Sequence, residues 1–286
     1  MEKPESPDEL KNLLISLLKS GKTRIEIADS FNVNKKTISE WLKKFDIKLK
    51  DYREFQLPYN IHVFDKIDTE EKAYWLGFLY ADGCVSYRMN TNSYDVKLEL
   101  AGVDIEHVKK FKTLFQDTRN NEMIKAHKRI YKGKELYYCR YRICNEHLAK
   151  SLIALGCTIK KSLTLTFPDI KIFSNPDLVF DFIRGYIDGD GSLTYQPRKN
   201  GIKNPRISII GTREFLEGVI KYLPQFSGIR KHNKEEKIFQ IYAYGKKARE
   251  IANKLYGHAT IYLDRKYEKF KALFEYKDGK DNKDGE

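Results

Sequence analysis

AYWLGFLYADGCVS (residues 73–86) and FIRGYIDGDGSLT (residues 182–194) are the stretches whose reading decides the fold. Each is an apolar run at helical spacing that ends in a small residue, an Asp and a Gly. Asp82 and Asp190 hold matching places, and the segments downstream of them match as well. After Asp82 come strand-like CVSYR and YDVKLEL, a helical DIEHVKKFKTLF, strand-like MIKAHKRIY and YYCRYRI, and a helical EHLAKSLIALG. After Asp190 come GSLTY and RISII, helical REFLEGVIKYL, then GIRKHN and IFQIYAY, and helical KKAREIANKLYG. Alternating apolar and polar positions mark the strands and 3.6-residue spacing marks the helices. The order is αββαββα, twice: an internal repeat that predicts an α+β chain with two antiparallel four-stranded sheets, residues 73–175 and 176–276.

The segments WLGFLYADG and IRGYIDGDG resemble the LAGLIDADG motif of homing endonucleases, and with the repeats the resemblance spans residues 73–275. It implies two halves paired about a pseudo-twofold axis, forming a saddle on double-stranded DNA. Gly77 and Ala81 lie four apart on one helix, and Gly185 and Gly189 four apart on the other. Small residues at that spacing let two helix backbones approach closely. Both helix ends would then lie side by side, with Asp82 and Asp190 at the axis. Two adjacent carboxylates repel unless a cation sits between them. Mg²⁺ suits an oxygen-only site, with Mn²⁺ as a substitute and the Ala81 and Gly189 carbonyls as further ligands. Asp188 is matched by Tyr80 in the first motif, so it is ranked below the two acids.

The resemblance further implies the chemistry. Asp82 and Asp190 would be the catalytic acids, metal-activated water would attack phosphorus in line, and metal would stabilise the leaving 3′ oxygen. Double-strand breaks with short 3′ overhangs would result. A basic residue near each metal is part of the same pattern. Lys161 and Lys266 are the candidates, with Lys160 and Arg265 as alternatives.

Strand alternation assigns the DNA face. Counting from each acid gives Ser86, Arg88 and Asn90 in the first repeat, and Ser192, Thr194, Gln196 and Arg198 in the second. Val85, Tyr87, Leu193 and Tyr195 are expected in the core. Later strands add Lys97, Tyr138, Arg140, Arg142, Arg206, Ser208, Lys231, Gln240 and Tyr242. Arg, Gln and Asn on a two-stranded ribbon fit base edges in the major groove.

Ahead of the repeats, residues 1–46 read as a small all-α domain of three helices. Its pattern GKTRIEIADSFNVNKKTISEWLKKF resembles the helix-turn-helix of resolvases and transposases. That resemblance implies that Lys35, Lys36, Thr37, Ser39 and Lys43 on the third helix meet DNA. Residues 47–72 show no sustained period and read as a linker, and residues 277–286 as a flexible tail.

Composition sets the outer bounds. With 53 Lys plus Arg against 40 Asp plus Glu, the net charge of +13 over 286 residues favours a polyanionic partner. No apolar run reaches the roughly 20 residues that span a bilayer, so no membrane role is expected. Four cysteines without a CxxC pair and an N-terminus without an apolar core point to a reduced intracellular setting. The expected location is the cytoplasm or nucleoid of a bacterial or phage-infected host. The six histidines show no zinc-ligand spacing and are expected as surface or strand residues. A monomer is expected from the two-motif chain. The rival readings are a LAGLIDADG regulator that has lost cleavage, against which both acids stand, and a maturase acting on host intron RNA. An intein-borne enzyme is disfavoured, since no splicing blocks flank the chain.

Overall fold

A computed structural model describes residues 1–159, 161–197, 203–232 and 237–274. It divides the chain into two units: Met1–Asn60 with Gln116–Arg119, and Ile61–Phe115 with Asn120 onward.

The first unit contains α1 (Pro7–Lys19), α2 (Arg24–Phe31) and α3 (Lys35–Lys44). Local chemistry fixes each end. Gly21 takes φ +84° after α1, a conformation that costs glycine little. Thr23 and Glu26 form a capping box at the start of α2, and the Asn34 side chain caps α3 by accepting from Lys36 N–H. Leu10, Leu14, Leu17, Leu18, Ile27, Ala28, Phe31, Ile38 and Leu42 make one core. A short 3₁₀ helix, Leu49–Gln56, closes on it through Leu49 and Tyr52. The stretch read as a linker therefore divides: residues up to Asn60 belong with the helices, while Ile61, Val63, Phe64 and Ile67 are buried in the second unit. Their apolar side chains carry no period because they pack singly along an irregular segment.

The second unit runs in chain order through α4 (Glu70–Ala81), β1 (Gly83–Arg88), β2 (Ser93–Ala101), α5 (Ile105–Leu114), β3 (His127–Tyr131), β4 (Lys134–Ile143) and α6 (Glu146–Ala154). It continues with α7 (Leu178–Asp190), β5 (Ser192–Pro197), β6 (Lys203–Gly211), α8 (Arg213–Tyr222), β7 (Arg230–Lys231), β8 (Phe239–Tyr244), α9 (Gly245–Tyr256) and α10 (Asp264–Leu273). The two antiparallel sheets have the same strand order, β1-β2-β4-β3 and β5-β6-β8-β7.

The helices α4 and α7 pack against each other along their length, and glycine is what permits it. A Cβ at Gly77 would lie 1.8 Å from the Phe182 carbonyl oxygen, and one at Gly185 would lie 1.9 Å from that of Tyr74. Further along, a Cβ at Gly189 would lie 2.3 Å from the Ala81 Cβ. Each contact is backbone against backbone or against a short methyl, so no side-chain rotation relieves it. The pairing buries Tyr74, Phe78, Phe182, Ile183 and Tyr186.

Strand alternation separates core from face in most places. Val85, Val96, Leu98, Cys139, Tyr141 and Ile143 are buried in the first sheet, and Leu193, Ile207, Ile209, Ile241 and Ala243 in the second. Tyr87 and Tyr195 depart from the expected core placement: they are 42% and 43% exposed. Both sit toward the far ends of β1 and β5, and Tyr87 instead packs on Tyr94 with ring centroids 4.9 Å apart.

Candidate active site and nucleic-acid face

The acids lie where α4 and α7 end. Asp82 is the C-cap of α4 and Asp190 the last residue of α7, and both keep access to solvent. Tight packing of the helix ends brings Asp82 Oδ2 to 3.3 Å from the Cβ position of Gly189. Crowding by protein and then the charge of Asp190 raise the Asp82 carboxyl from 3.8 to about 6, against the opposing pull of Lys266, Lys161 and Arg265. Desolvation likewise raises Asp190, with Lys161 and Lys266 pulling it down.

The two lysines occupy corresponding places at the helix ends. Lys161 is 8% exposed and donates to the Ala81 carbonyl at 2.8 Å. Lys266 is 4% exposed and donates to the carbonyls of Ile187 and Gly191, the latter at 2.7 Å, with Gly189 O at 3.4 Å. A helix C-terminus presents unpaired carbonyls and a partial negative charge, which favours a cation there. Burial lowers Lys266 to about 8, while Asp188 and then the two acids hold it up. The alternative Arg265 is committed elsewhere, donating from Nε to both Asp104 carboxylate oxygens at 3.0 and 3.2 Å. Lys160 lies outside the described residues.

Asp188 has a separate task. It is fully buried and accepts from Tyr74 Oη at 2.8 Å, Tyr256 Oη at 2.7 Å and Leu263 N–H at 2.7 Å. Two turns of α7 thereby hold the loop that leads into α10, because Arg184 also donates to the Leu255 and Ile261 carbonyls and pairs with Glu70 at 2.7 Å. That loop sets α10, which brings Lys266 to the end of α7. Motif position alone ranks Asp188 low, and its partners, up to 114 residues away in the chain, lie beyond any local signal.

One consequence is measurable without DNA. With Asp82 titrating near 6 in the fold and at 3.8 ordinarily, the folded chain holds an extra proton between those values. Stability therefore falls as pH rises through that window, and the penalty persists above it. Metal-free Asp82→Asn protein is expected to melt higher than wild type at pH 7.5 and equally at pH 3. Solvent screening of a side chain this accessible limits the gain to about 1 kcal/mol, or roughly 2–4 °C by calorimetry.

The sheet faces carry most of the residues expected to meet DNA. In the first sheet, Cys84, Ser86 and Arg88 share a face with Asp95, Lys97 and Glu99 of β2, Arg142, Arg140 and Tyr138 of β4, and His127 and Arg129 of β3. The arginines are not bare. Asp95 binds Arg88 and also Arg142, whose Nε lies at 2.9 Å. Glu99 binds Arg140 at 2.6 Å and Arg129 at 3.1 Å. Arg129 and Arg140 also lie 4.5 and 5.5 Å from the Tyr138 ring centroid. Asn90 falls beyond the strand, in the one-turn helix Met89–Thr91 that Asn92 closes at φ 45°. Its position there is not set by strand alternation.

In the second sheet, Ser192 and Thr194 of β5 stand opposite Ser208 and Arg206 of β6, which oppose Tyr242 and Tyr244 of β8. Gln196 is exposed next to them on β5. Ser208 is only 5% exposed, since it sits in the middle strand of this row, and offers little surface to a partner. Lys231 pairs with Phe239, one residue out of step with Gln240, and so lies on the opposite face. Arg230 takes its place opposite Gln240, with its guanidinium 5.2 Å from the Tyr242 ring. Arg206 lies 5.5 Å from the same ring. Each sheet thus holds a tyrosine between two arginines, Arg129–Tyr138–Arg140 and Arg206–Tyr242–Arg230. Only two residues pair in β7, too short for alternation to set its phase, which is why the sequence misplaces Lys231. Arg198 lies outside the described residues.

In the first unit, Lys35, Lys36 and Lys43 are exposed on α3, and Thr37 and Ser39 are half-buried. Ser39 Oγ accepts from Arg24 at 3.3 Å and donates to the Lys35 carbonyl at 3.1 Å. Among the described residues, no helix is long and apolar enough to cross a membrane.

No family model matches the sequence. The probable translation initiation factor IF-2 of Methanocaldococcus jannaschii is 26% identical over 188 residues, which is 61% of this chain. This chain spans only 14% of that relative's length. Among solved structures, the LAGLIDADG homing endonuclease I-GzeII in complex with its DNA target is similar at 14% identity and a TM-score of 0.46, covering 70% of this chain and 88% of that one. The I-LtrWI LAGLIDADG homing endonuclease bound to target DNA is similar at 13% identity and a TM-score of 0.46, covering 75% and 90%.

Proposed function

We propose that this chain is a monomeric, metal-dependent, site-specific DNA endonuclease of the LAGLIDADG homing type. The observation that carries the reading is the meeting of two carboxyl groups, Asp82 and Asp190, at paired helix ends, each end holding its own lysine. An ordinary Asp-Gly turn needs neither a second copy nor a lysine on the preceding carbonyls.

The donor set fits Mg²⁺ or Mn²⁺. It consists of two carboxylates, one of them raised first by burial and then by the other's charge, and the Ala81 and Gly189 carbonyls. Each carbonyl engaged by one lysine keeps a second lone pair. A bound divalent ion would supply Lewis-acid polarisation of the scissile phosphate and neutralise charge on the leaving oxygen. The protein's own residues do the rest. Asp82 and Asp190 deprotonate to hold the cation, and Lys161 and Lys266 stabilise negative charge gathering on the phosphate. The sheet arginines grip the backbone or read base edges. Asp95 and Glu99 preset four of them, which reduces the ordering cost on binding. The two repeats, related by a pseudo-twofold axis, would each serve one strand and leave short 3′ overhangs.

The α1–α3 unit is read as a helix-turn-helix adding contacts beyond the sheets, so that tethering lengthens the site. Replacing Lys35 and Lys36 together with Glu is expected to weaken DNA binding roughly tenfold at fixed salt and to flatten the log–log salt slope by about two. An unchanged slope would remove α3 from the interface.

The reading is tested by selecting bound sequences from a randomised duplex library and then mapping both strands after Mg²⁺ is added. Paired cuts, offset to leave 3′ ends, are expected. Selective binding with no cut would replace the nuclease by a DNA-binding regulator.

A further inference from the structure

Away from the helix ends, two histidines and a carboxylate that the sequence leaves far apart converge. His62 Nδ1 lies 2.7 Å from Asp65 Oδ2, and His147 Nε2 lies 2.7 and 2.9 Å from the two oxygens of the same carboxylate. The two imidazole rings are 4.5 Å apart. One donor atom from each of the three residues fits within a 4.8 Å span. Ser151 Oγ donates to Asp65 Oδ1 at 2.8 Å and orients the carboxylate. His62 and Asp65 come from the irregular segment ahead of α4, whereas His147 and Ser151 come from α6.

We propose that His62, Asp65 and His147 form a binding site for a zinc-class divalent transition metal. Two imidazole nitrogens and one carboxylate oxygen are the donors that such ions select, whereas Mg²⁺ prefers oxygen alone. The groups already face one another, so binding requires only small side-chain rotations that open a gap for the ion in place of the present hydrogen bonds. Three protein ligands leave a coordination position for water. All three residues are exposed, so the ion has a free path in. Its effect would be structural. It would fasten the segment beginning at Ile61 to α6, near the point where that segment's Ile67 bridges Phe173. The site is independent of the acids at Asp82 and Asp190 and of the nuclease reading.

Zn²⁺ alone, titrated into the full-length protein and followed by calorimetry, tests it, with Co²⁺ absorption reporting coordination. One equivalent should bind to Asp82→Asn/Asp190→Asn protein, which lacks the carboxylates proposed to hold Mg²⁺, and should raise its melting temperature. His62→Gln and His147→Gln should each weaken binding by more than about tenfold. Asp65→Asn, which keeps the side-chain shape, should do the same with unchanged circular dichroism. Wild type should bind this equivalent as tightly, any further equivalent being lost with Asp82 and Asp190. No binding to the Asp82→Asn/Asp190→Asn protein, or binding to it that survives the added histidine and Asp65 replacements, would overturn the proposal.

Discussion

Replacing Asp82 or Asp190 with Asn is expected to lower double-strand cleavage by at least about a thousandfold. Asn keeps the shape of the side chain but cannot supply the negative charge that holds a divalent cation. DNA affinity should stay the same or tighten, because a carboxylate that would face phosphate has been removed. Binding by fluorescence anisotropy and cleavage on a selected site separate the two effects. The same change that stops catalysis should stabilise the metal-free fold, since Asp82 is raised to about 6 by crowding and by Asp190. Loss of function with gain of stability is the pattern of a functional acid. A carboxylate serving only as a turn residue would lose stability or change nothing.

The second large effect falls on the helix pair. Gly77→Ala and Gly185→Ala each set a methyl carbon less than 2 Å from a backbone carbonyl oxygen of the facing helix. The backbones must move apart, loosening contacts along the whole of α4 and α7. Each replacement should cost about 3 kcal/mol or more, or roughly 6–12 °C in melting temperature. Cleavage should fall further than stability explains, because the helix ends that carry Asp82 and Asp190 separate too. Gly228→Ala is the internal control: among the described residues, apart from its chain neighbours, no atom lies within 4 Å of the added carbon, and its effect should stay within about 0.5 kcal/mol. Equal losses at Gly77 and Gly228 would remove the role assigned to close helix packing.

The features most legible in the sequence are those that short-range periodicity encodes. Small residues four apart at Gly77 and Ala81, and at Gly185 and Gly189, point to a tight helix contact; in the structure Gly77 and Gly185 meet facing backbone and Gly189 meets the Ala81 methyl. Alternation finds the buried Val85 and Leu193 but misplaces Tyr87 and Tyr195 toward the strand ends. Strand pairing is the harder problem. Asp95 and Glu99 capture arginines from neighbouring strands, and which arginine meets which acid depends on register, where a slip of one residue exchanges the faces. The displacement of Lys231 by Arg230 is the same lesson at a strand of two residues. Asp188 is less legible still, because Tyr74, Tyr256 and Leu263 reach it from three separate parts of the chain.

The central claim is that the paired ends of α4 and α7 form a metal-dependent nuclease centre. The most direct test incubates a randomised duplex DNA library with wild-type protein and with Asp82→Asn/Asp190→Asn protein, each with and without Mg²⁺, and counts new DNA ends. Ends at a defined sequence are predicted only for wild type with Mg²⁺. Equal cutting by the doubly substituted protein, or by wild type in the presence of a chelator, would contradict the claim.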